Sequence, residues 1–599
     1  MSSTTTNTII AAYQKLKQEY TDQSQQLSRK HFRLGILRLL SILIALTGFY
    51  YYYTLSALWV LGVALPAIVL FFFLRKIQQE TGRKKAMAQY LVQVNEEEIT
   101  YLQNGTLSST DGSEFQDLSH AYAADLDLFG PRSLYQHLNR TATQMGKSKL
   151  ATALKQLVSS EEIRNRQKAI AESGMKLTER QYFYAAGKIA RDNTGNYEAL
   201  IKWSETKEKP LSKAIILLAY VMPAALIAML ALYLITGESV YASVAKRIVP
   251  LNILFFSFLL KRIKTSVAGI EKVQATLHAY STLLVQIEQT GYDSSALISL
   301  KKQLQSEQIS ASQQIRKLSK IFSGMETMQN PFAALAMNGL YLYHIHNLQK
   351  LILWKNRYAG MIPTWLTVIG EFEMLHSLAN FHYNNPGYCF PVLNHTYGIS
   401  FVSTGHPLIH ESKRVCNDIN FNEHPFVILT GSNMSGKSTF LRTLGINMVL
   451  AGMGSVVCAR SASIHPLPVF VSMRQTDSLA DSESYFFAEV KRLKYIIDGL
   501  QQEPSFVLLD EILRGTNSDD KRSGTIGVIE KIIRTKAIGA IATHDLEVCH
   551  TTDKYPGILS NQCFEVAIVE NELVFDYTLR QGICQNKSAT FLMKKMDII

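Results

Sequence analysis

The chain has 599 residues, enough for several domains, and its formal net charge of +12 suits a polyanion or an anionic membrane surface as partner. Only 18% of the residues are charged and 47% are hydrophobic, with the apolar excess concentrated in two zones. All six cysteines lie beyond residue 388 and none forms a C-x-x-C pair, which argues against a disulfide framework or a zinc site and suits a reducing compartment. No signal peptide is visible, because the first strong apolar run starts beyond residue 33 and the extreme N-terminus carries no basic cluster.

Residues 1–33 read as a polar cytoplasmic helix ending in Arg29, Lys30 and Arg33. From Leu39 to Leu74 no residue is charged, a run long enough for two membrane crossings, so a first transmembrane hairpin is expected over 34–76. Tyr50 to Tyr53 sit near its middle, where interfacial tyrosines would mark the turn. Arg33 and Arg38 before the run, and Arg75, Lys76, Arg83, Lys84 and Lys85 after it, place both ends in the cytoplasm. Residues 77–210 read as the first part of a helical core, with Ser159 or Ser160 capping a helix that begins at Glu161. A second hairpin is expected over 211–261, from the charge-free run Ala214 to Ile235, which contains Pro223, and the shorter run Ile248 to Leu260. Lys246 and Arg247 would snorkel at the outer face, and a fourth span keeps the C-terminal domain inside. Residues 262–385 read as long helices, and Asn384-Asn385-Pro386-Gly387 as a turn at a domain boundary. From 386 to 599, short β-like runs alternate with helices, the α/β pattern.

The chemistry concentrates in that last segment. Gly431 to Ser438 fits G-x-x-x-x-G-K-[ST], between an apolar strand (Val427 to Thr430) and a helix. Such a loop turns its backbone N–H groups onto phosphates, and the helix behind it adds its positive dipole end. Gly431, Ser432, Asn433, Met434, Ser435, Gly436, Lys437, Ser438 and Thr439 are therefore the expected ATP-binding residues. Lys437 supplies charge to the β- and γ-phosphates, and the Ser438 hydroxyl ligates Mg²⁺. Phe506 to Glu511 is a strand ending in two acids. Asp510 is expected at the Mg²⁺, and Glu511 at the attacking water as base or positioning group. A third strand, Ala537 to Ala542, leads to His544, placed to sense the γ-phosphate.

These stretches, taken in order, resemble the MutS family of DNA mismatch-recognition ATPases. The resemblance rests on Asn433-Met434 inside the loop, on Gly405-His406-Pro407-Leu408, and on Asp477 to Ala480 followed by Ser484 to Glu489. It continues through Leu508 to Asp520, Ala542 to Val548, and Phe575 to Gly582. Upstream, Asn139 to Leu154 and Ile163 to Gln167 look like the start of the family's helical core and lever, and Trp365 to Ala379 like its end. The resemblance implies a homodimer through the ATPase domains, with Ser484 acting in trans on the partner's γ-phosphate and Asn517 and Ser518 at the interface. It implies ATP and Mg²⁺ as cofactors, and duplex DNA, mismatched or branched, as the load.

Five departures stand out. Ser435 replaces a glycine usual in the family, and Glu483 a basic residue. No mismatch-reading N-terminal domain with its Phe-x-Glu wedge is found, nor the family's C-terminal dimerisation tail. The core is interrupted by the second hairpin. The expected fold is thus multidomain: α-helical membrane hairpins and an α-helical core and lever, plus a C-terminal α/β P-loop ATPase domain of the ABC/MutS type. The expected activity is ATP hydrolysis coupled to closure on DNA, by a multi-pass protein of the inner membrane with its ATPase in the cytoplasm and the lipid bilayer as partner. The alternatives are a membrane scaffold whose ATP switch gates a protein partner, and an ABC-type transporter. The absence of the glycine-rich transporter signature speaks against the transporter.

Overall fold

A computed structural model describes residues 2–54, 60–105, 109–268, 273–306, 309–473, 485–569 and 572–585. Two long helices open the chain, α1 (Ser2–Thr54) and α2 (Leu65–Asn104), packed along each other. Both run through the expected boundaries at 33/34 and 76/77, because good helix formers continue on either side and no Gly-Pro breaker intervenes. The tyrosines at 50–53 remain helical, so the chain does not reverse there as expected; helix α1 ends at Thr54, and residues 55–59 lie outside the described set.

The helical core follows as α3 (Gln144–Lys155), α4 (Ser160–Met175) and α5 (Leu177–Ala190). The cap of α4 is Ser159, whose Oγ accepts from the Glu162 amide at 3.2 Å. Next comes an apolar pair, α6 (Lys213–Thr236) and α7 (Ser239–Val267), joined at Gly237 in the left-handed conformation. Pro223 lies inside α6 and Pro250 inside α7. Among the described residues, four helical stretches are long and apolar enough to cross a membrane: Thr6–Tyr51, Gly62–Asn104, Lys213–Thr236 and Ser239–Val267. The return path contains α8 (Gln274–Gln289), α9 (Ala311–Glu326), α10 (Pro331–Tyr341), α11 (Tyr343–Tyr358) and α12 (Ile362–Asn384).

A buried polar hub joins the base of the first helix pair to the core. Arg140 grips Glu98 of α2 through two nitrogens, one of them Nη2 at 3.2 Å from Oε2. Asn380 and Asn384 of α12 donate to the same carboxylate at 3.1 and 2.8 Å, and the Tyr13 hydroxyl of α1 donates to Asn384 Oδ1 at 2.8 Å. Burial pushes the Glu98 carboxyl up, but Arg140 and the two amides outweigh it and hold it below its ordinary range.

The C-terminal region carries two sheets. The smaller comprises β1 (Val392–Leu393), β2 (Ser400–Thr404), β3 (Asn417–Asn420) and β5 (Ser461–Ile464), in the order β1-β5-β2-β3. The larger comprises β4 (Phe426–Gly431), β6 (Val469–Ser472), β7 (Phe506–Asp510), β8 (Ile538–Ala542), β9 (Leu559–Val569) and β10 (Glu572–Gln581), in the order β10-β9-β4-β8-β7-β6. All its neighbours are parallel except β9 and β10. It is covered on both faces, as its uninterrupted apolar strands require. Along β4, Val427 and Leu429 face the core shared with the helical region, whereas Phe426 and Ile428 face a second core under α14 (Tyr485–Leu500) and α15 (Ser518–Arg534). Between β4 and β5 runs α13 (Lys437–Gly452), twelve of whose residues beyond Lys437 are buried.

Residues 119–128, which the sequence leaves without a role, cap the β6 edge of this sheet. The Val471 amide donates to Ala121 O at 3.0 Å and the Met473 amide to Asp125 Oδ1 at 2.8 Å. Arg492 of α14 ties the same Asp125 at 3.2 Å, and Arg442 of α13 pairs with Asp127 at 3.2 Å. Leu126 is fully buried where α13 carries Gly445, at which a Cβ would stand 2.6 Å from the leucine.

Candidate functional site

Register builds the site. Ala542 of β8 pairs with Leu429 of β4 on one side and with Asp510 of β7 on the other. The residues that follow, Thr430-Gly431, Thr543-His544 and Glu511, therefore leave the sheet side by side at its carboxyl end. Parallel sheets bind ligands at such ends. Ser472 of β6 pairs with Leu509, so β6 ends at the same edge. Ser484 itself lies outside the described residues.

The loop from Gly431 to Gly436 turns on two glycines that other residues would not replace. Gly431 has φ 152°, and a Cβ there would meet Phe564 O at 2.8 Å and Ser435 Oγ at 2.6 Å. Gly436 has φ 103° and stands under the Tyr577 ring, where a Cβ would approach to 3.0 Å. Met434 is the one other residue of the loop with positive φ, at 69°, and its side chain is exposed. Asn433, Ser438 and Thr439 line the cavity in front of the loop, while Ser432 and Ser435 hold buried hydroxyls without a hydrogen-bond partner among the described residues.

Lys437, the first residue of α13, is buried and folds back, its Nζ donating to Gly431 O at 2.9 Å and Ser432 O at 3.0 Å. Burial pulls its ammonium below the ordinary value, against the pull of Glu511 and Asp510. Asp510 is hydrogen-bonded to the Ser438 hydroxyl, but its buried Oδ1 has no partner among the described residues. Burial raises the Asp510 carboxyl against that bond, and Glu511 adds to the rise. A carboxylate and a hydroxyl side by side, with one oxygen orphaned, are the donor set a hard divalent cation takes.

Glu511 stands in the left-handed region at φ 47°. Its Oε1 contacts His544 Nε2 and its Oε2 pairs with Arg514 at 3.1 Å. Burial favours the neutral acid, but the His544 hydrogen bond and the charges of His544, Arg514 and Lys437 win and hold the carboxyl below its usual range. His544 Nε2 also lies 3.5 Å from Lys437 Nζ, so the histidine stands between the loop lysine and the carboxylate. The sequence reading omitted two supports. Glu489 of α14 accepts from the Leu513 amide at 2.6 Å and the Arg514 amide at 3.2 Å, fixing the turn after β7. Asp545 pairs with Arg522 of α15 at 3.0 Å, fixing the turn after β8. Asn517 is the cap of α15, accepting from the Asp520 amide at 2.8 Å, and Ser518 is its first residue.

The loop opens on a cavity of about 560 Å³ whose far wall is the smaller sheet. Thr404, His406, Asn417, Phe564 and Tyr577 line it. Asn417 bridges the two sheets, donating to Tyr577 O at 3.0 Å and accepting from the Leu579 amide at 2.8 Å. Burial, with Arg442 and Arg414 nearby, drives the His406 imidazole down to about 4, so His406 is neutral at pH 7, and the charge this side brings to the cavity is that of Lys413. None of these wall residues was assigned a role from sequence, although His406 and Tyr577 fall inside stretches the reading singled out. Their meeting depends on the docking of one sheet on the other.

Residues 427–596 match the family model of MutS domain V. The chain is 32% identical to the human MutS protein homolog 4 over 194 residues, 31% of this chain and 20% of that protein. It is 33% identical over 218 residues to a DNA mismatch repair protein MutS from Clostridium kluyveri, 35% of this chain and 25% of the relative. A protein of the same description from Ehrlichia ruminantium is 34% identical over 230 residues, covering 38% and 28% of the two chains. The chain thus spans about a fifth to a quarter of the length of these relatives.

Proposed function

Through residues 427–596 the chain belongs to the MutS family, whose members are ATPases, and on that premise we propose that it is a membrane-anchored ATPase that closes on DNA as a dimer. The observation that carries the hydrolytic part is a cavity of nucleotide size lined by Lys437, Ser438 and Glu511, with Asp510 bonded to Ser438 and His544 in contact with Glu511 behind them. Amides of residues 431–438 and Lys437 would bind the phosphates, the lysine releasing the two loop carbonyls it now holds. Ser438 and the orphaned Asp510 Oδ1 would hold Mg²⁺, which supplies charge neutralisation at the β- and γ-oxygens. Glu511, kept ionised, would accept a proton from the attacking water or orient it, and His544 would report phosphate occupancy to Glu511 and Lys437. Ser484 of the neighbouring protomer would complete the site, with Asn517 and Ser518 at the seam.

A substitution at the loop tests nucleotide binding. Gly436→Ala places a Cβ against Tyr577 and a non-glycine residue at φ 103°, adding roughly 1–3 kcal/mol of strain. Affinity in a fluorescent-nucleotide titration should fall accordingly, about tenfold per 1.4 kcal/mol. Unchanged affinity would show that this loop does not bind the phosphates.

The anchoring part is supported by the four long apolar helices, whose outward faces carry exposed residues such as Leu43, Phe72, Leu234 and Phe258. The DNA part is supported by the family and by the charge of +12. Its test is duplex binding by the detergent-solubilised full chain across a salt series. Affinity should fall linearly with the logarithm of salt, and ATPase turnover should respond to duplex. Binding without salt dependence, or turnover indifferent to linear, mismatched and branched duplexes, would favour a protein partner as the load.

A further inference from the structure

Residues 327–349 contain no Asp, Glu, Lys or Arg, a run as long as a membrane span but folded as a short helix, α10, and an elbow. One face of α10 is buried through Ala334, Asn338 and Gly339. Around the rest of the helix Phe332 is 85% exposed, and Leu335, Leu340 and Tyr341 are exposed too. In water so much exposed aromatic and aliphatic surface on one short helix is costly and would invite aggregation.

The seat of α10 explains the exposure. Gly339 lies against α7, where a Cβ would stand 3.2 Å from Val249, and the fully buried Asn252 donates to Gly339 O at 2.7 Å. Asn252 falls within the Ile248 to Leu260 run of the second hairpin. The same helix exposes Leu251, Leu254 and Phe258 on the side away from Asn252, so α7 and the α10 seated on it both turn apolar residues outward. The elbow reaches the hairpin's other helix too, since the His346 and Tyr220 rings stand 4.6 Å apart. Asn338 and His344 pair with each other and with neighbouring groups, as a low-dielectric surrounding demands, whereas the buried His346 Nε2 and Asn347 Nδ2 have no hydrogen-bond partner among the described residues. Asn338 donates to Ala334 O and His344 Nδ1, each at 2.7 Å, and accepts from the His344 amide at 3.0 Å. Because Asn338 donates to Nδ1, His344 is the neutral tautomer with its proton on Nε2, shared with Thr327 Oγ1 at 2.9 Å. Exposed Lys317 and Lys320 precede the run and exposed Lys350 ends it. Cations at the edges of an apolar face suit anionic headgroups.

We propose that α10 and its elbow are a lipid-contacting element, seated in the bilayer beside the second hairpin. The proposal rests on the reading of that hairpin as membrane-spanning. It makes the return path of the helical region, and not only the hairpins, part of the anchor. A change in the α9–α11 arm would then be felt at the membrane.

The test uses the full chain in liposomes, with single cysteines introduced at Phe332→Cys and Leu335→Cys, Lys317→Cys as an aqueous reference and Leu254→Cys as a hairpin reference. Modification is read at each site by peptide mass spectrometry, which separates it from the native cysteines. A membrane-impermeant maleimide should modify Lys317→Cys and fail to modify the other three. A carbene reagent partitioned into the bilayer should label positions 332 and 335. If positions 332 and 335 react with maleimide as fast as position 317 while 254 stays protected, the proposal fails and the hairpin stands. If 254 reacts as well, the membrane reading fails and takes the proposal with it. Protection at 332 and 335 without carbene labelling would mean that protein covers this face, which also overturns the proposal.

Discussion

Glu511→Gln is expected to leave ATP bound and slow its hydrolysis roughly 10²–10⁴-fold, the range that a positioned general base contributes. The substitution is close to isosteric. The amide can still occupy the place beside His544 and Arg514, so the turn held by Glu489 should persist. Binding should persist as well, because the loop amides and Lys437 do not depend on the carboxylate charge for their position. What disappears is a carboxylate whose proton affinity is kept low by His544, Arg514 and Lys437 against the effect of burial. A low proton affinity keeps Glu511 a dependable negative charge beside the attacking water, which it can orient and polarise as the water gives up its proton. Single-turnover hydrolysis beside nucleotide titration decides the point. Undiminished turnover removes Glu511 from its role, and loss of binding together with turnover assigns it to the fold of the loop.

Glu98→Ala is expected to cost about 3–5 kcal/mol, the penalty for leaving a buried partner charge uncompensated. Arg140 would stay enclosed by Tyr101 and its own neighbours with no counter-ion, while Asn380 and Asn384 would lose their common acceptor. A large downward shift of the melting temperature in detergent should follow. The surface pair Lys17–Glu96 on the same two helices is the natural contrast, and Lys17→Ala should cost less than about 1 kcal/mol. The hub matters beyond stability. It fastens α1 and α2 to α12, and α12 leads at Asn384 into the smaller sheet that walls the cavity. If Glu98→Gln, which preserves volume, melts near the parent yet alters the dependence of turnover on bilayer or DNA, the hub carries coupling as well as stability. An unshifted melting temperature for Glu98→Ala would show that Arg140 finds water or another partner, and the buried-pair account would fall.

The site's main actors were legible because their chemistry is local. A Gly-Lys-Ser-Thr run between an apolar strand and a helix, two acids closing a second strand, and a histidine closing a third each declare themselves within a dozen residues. Their meeting follows from parallel register, which sets Leu429, Ala542 and Asp510 in line. The apolar hairpins were legible for a similar reason, since absence of charge over a given length needs no partner to be read. Their ends were not, because helix propensity carries α1 and α2 well past the apolar boundary.

What the sequence determined by itself, then, is the set of residues proposed to face phosphate and metal, the likeness of residues 427–596 to MutS domain V, and the presence of long apolar helices. Tertiary structure decided the rest. It brought Asn417, His406 and Tyr577 from separate segments to the cavity wall. It set residues 119–128 against the sheet edge through Arg492 and laid α10 on α7 through a glycine and one asparagine amide. Each of these depends on contacts between segments far apart in the chain, made by ordinary side chains whose meaning arises only from what they face. A motif holds its chemistry in its spacing, whereas an interface holds it in register and packing, and those exist only once the chain is folded.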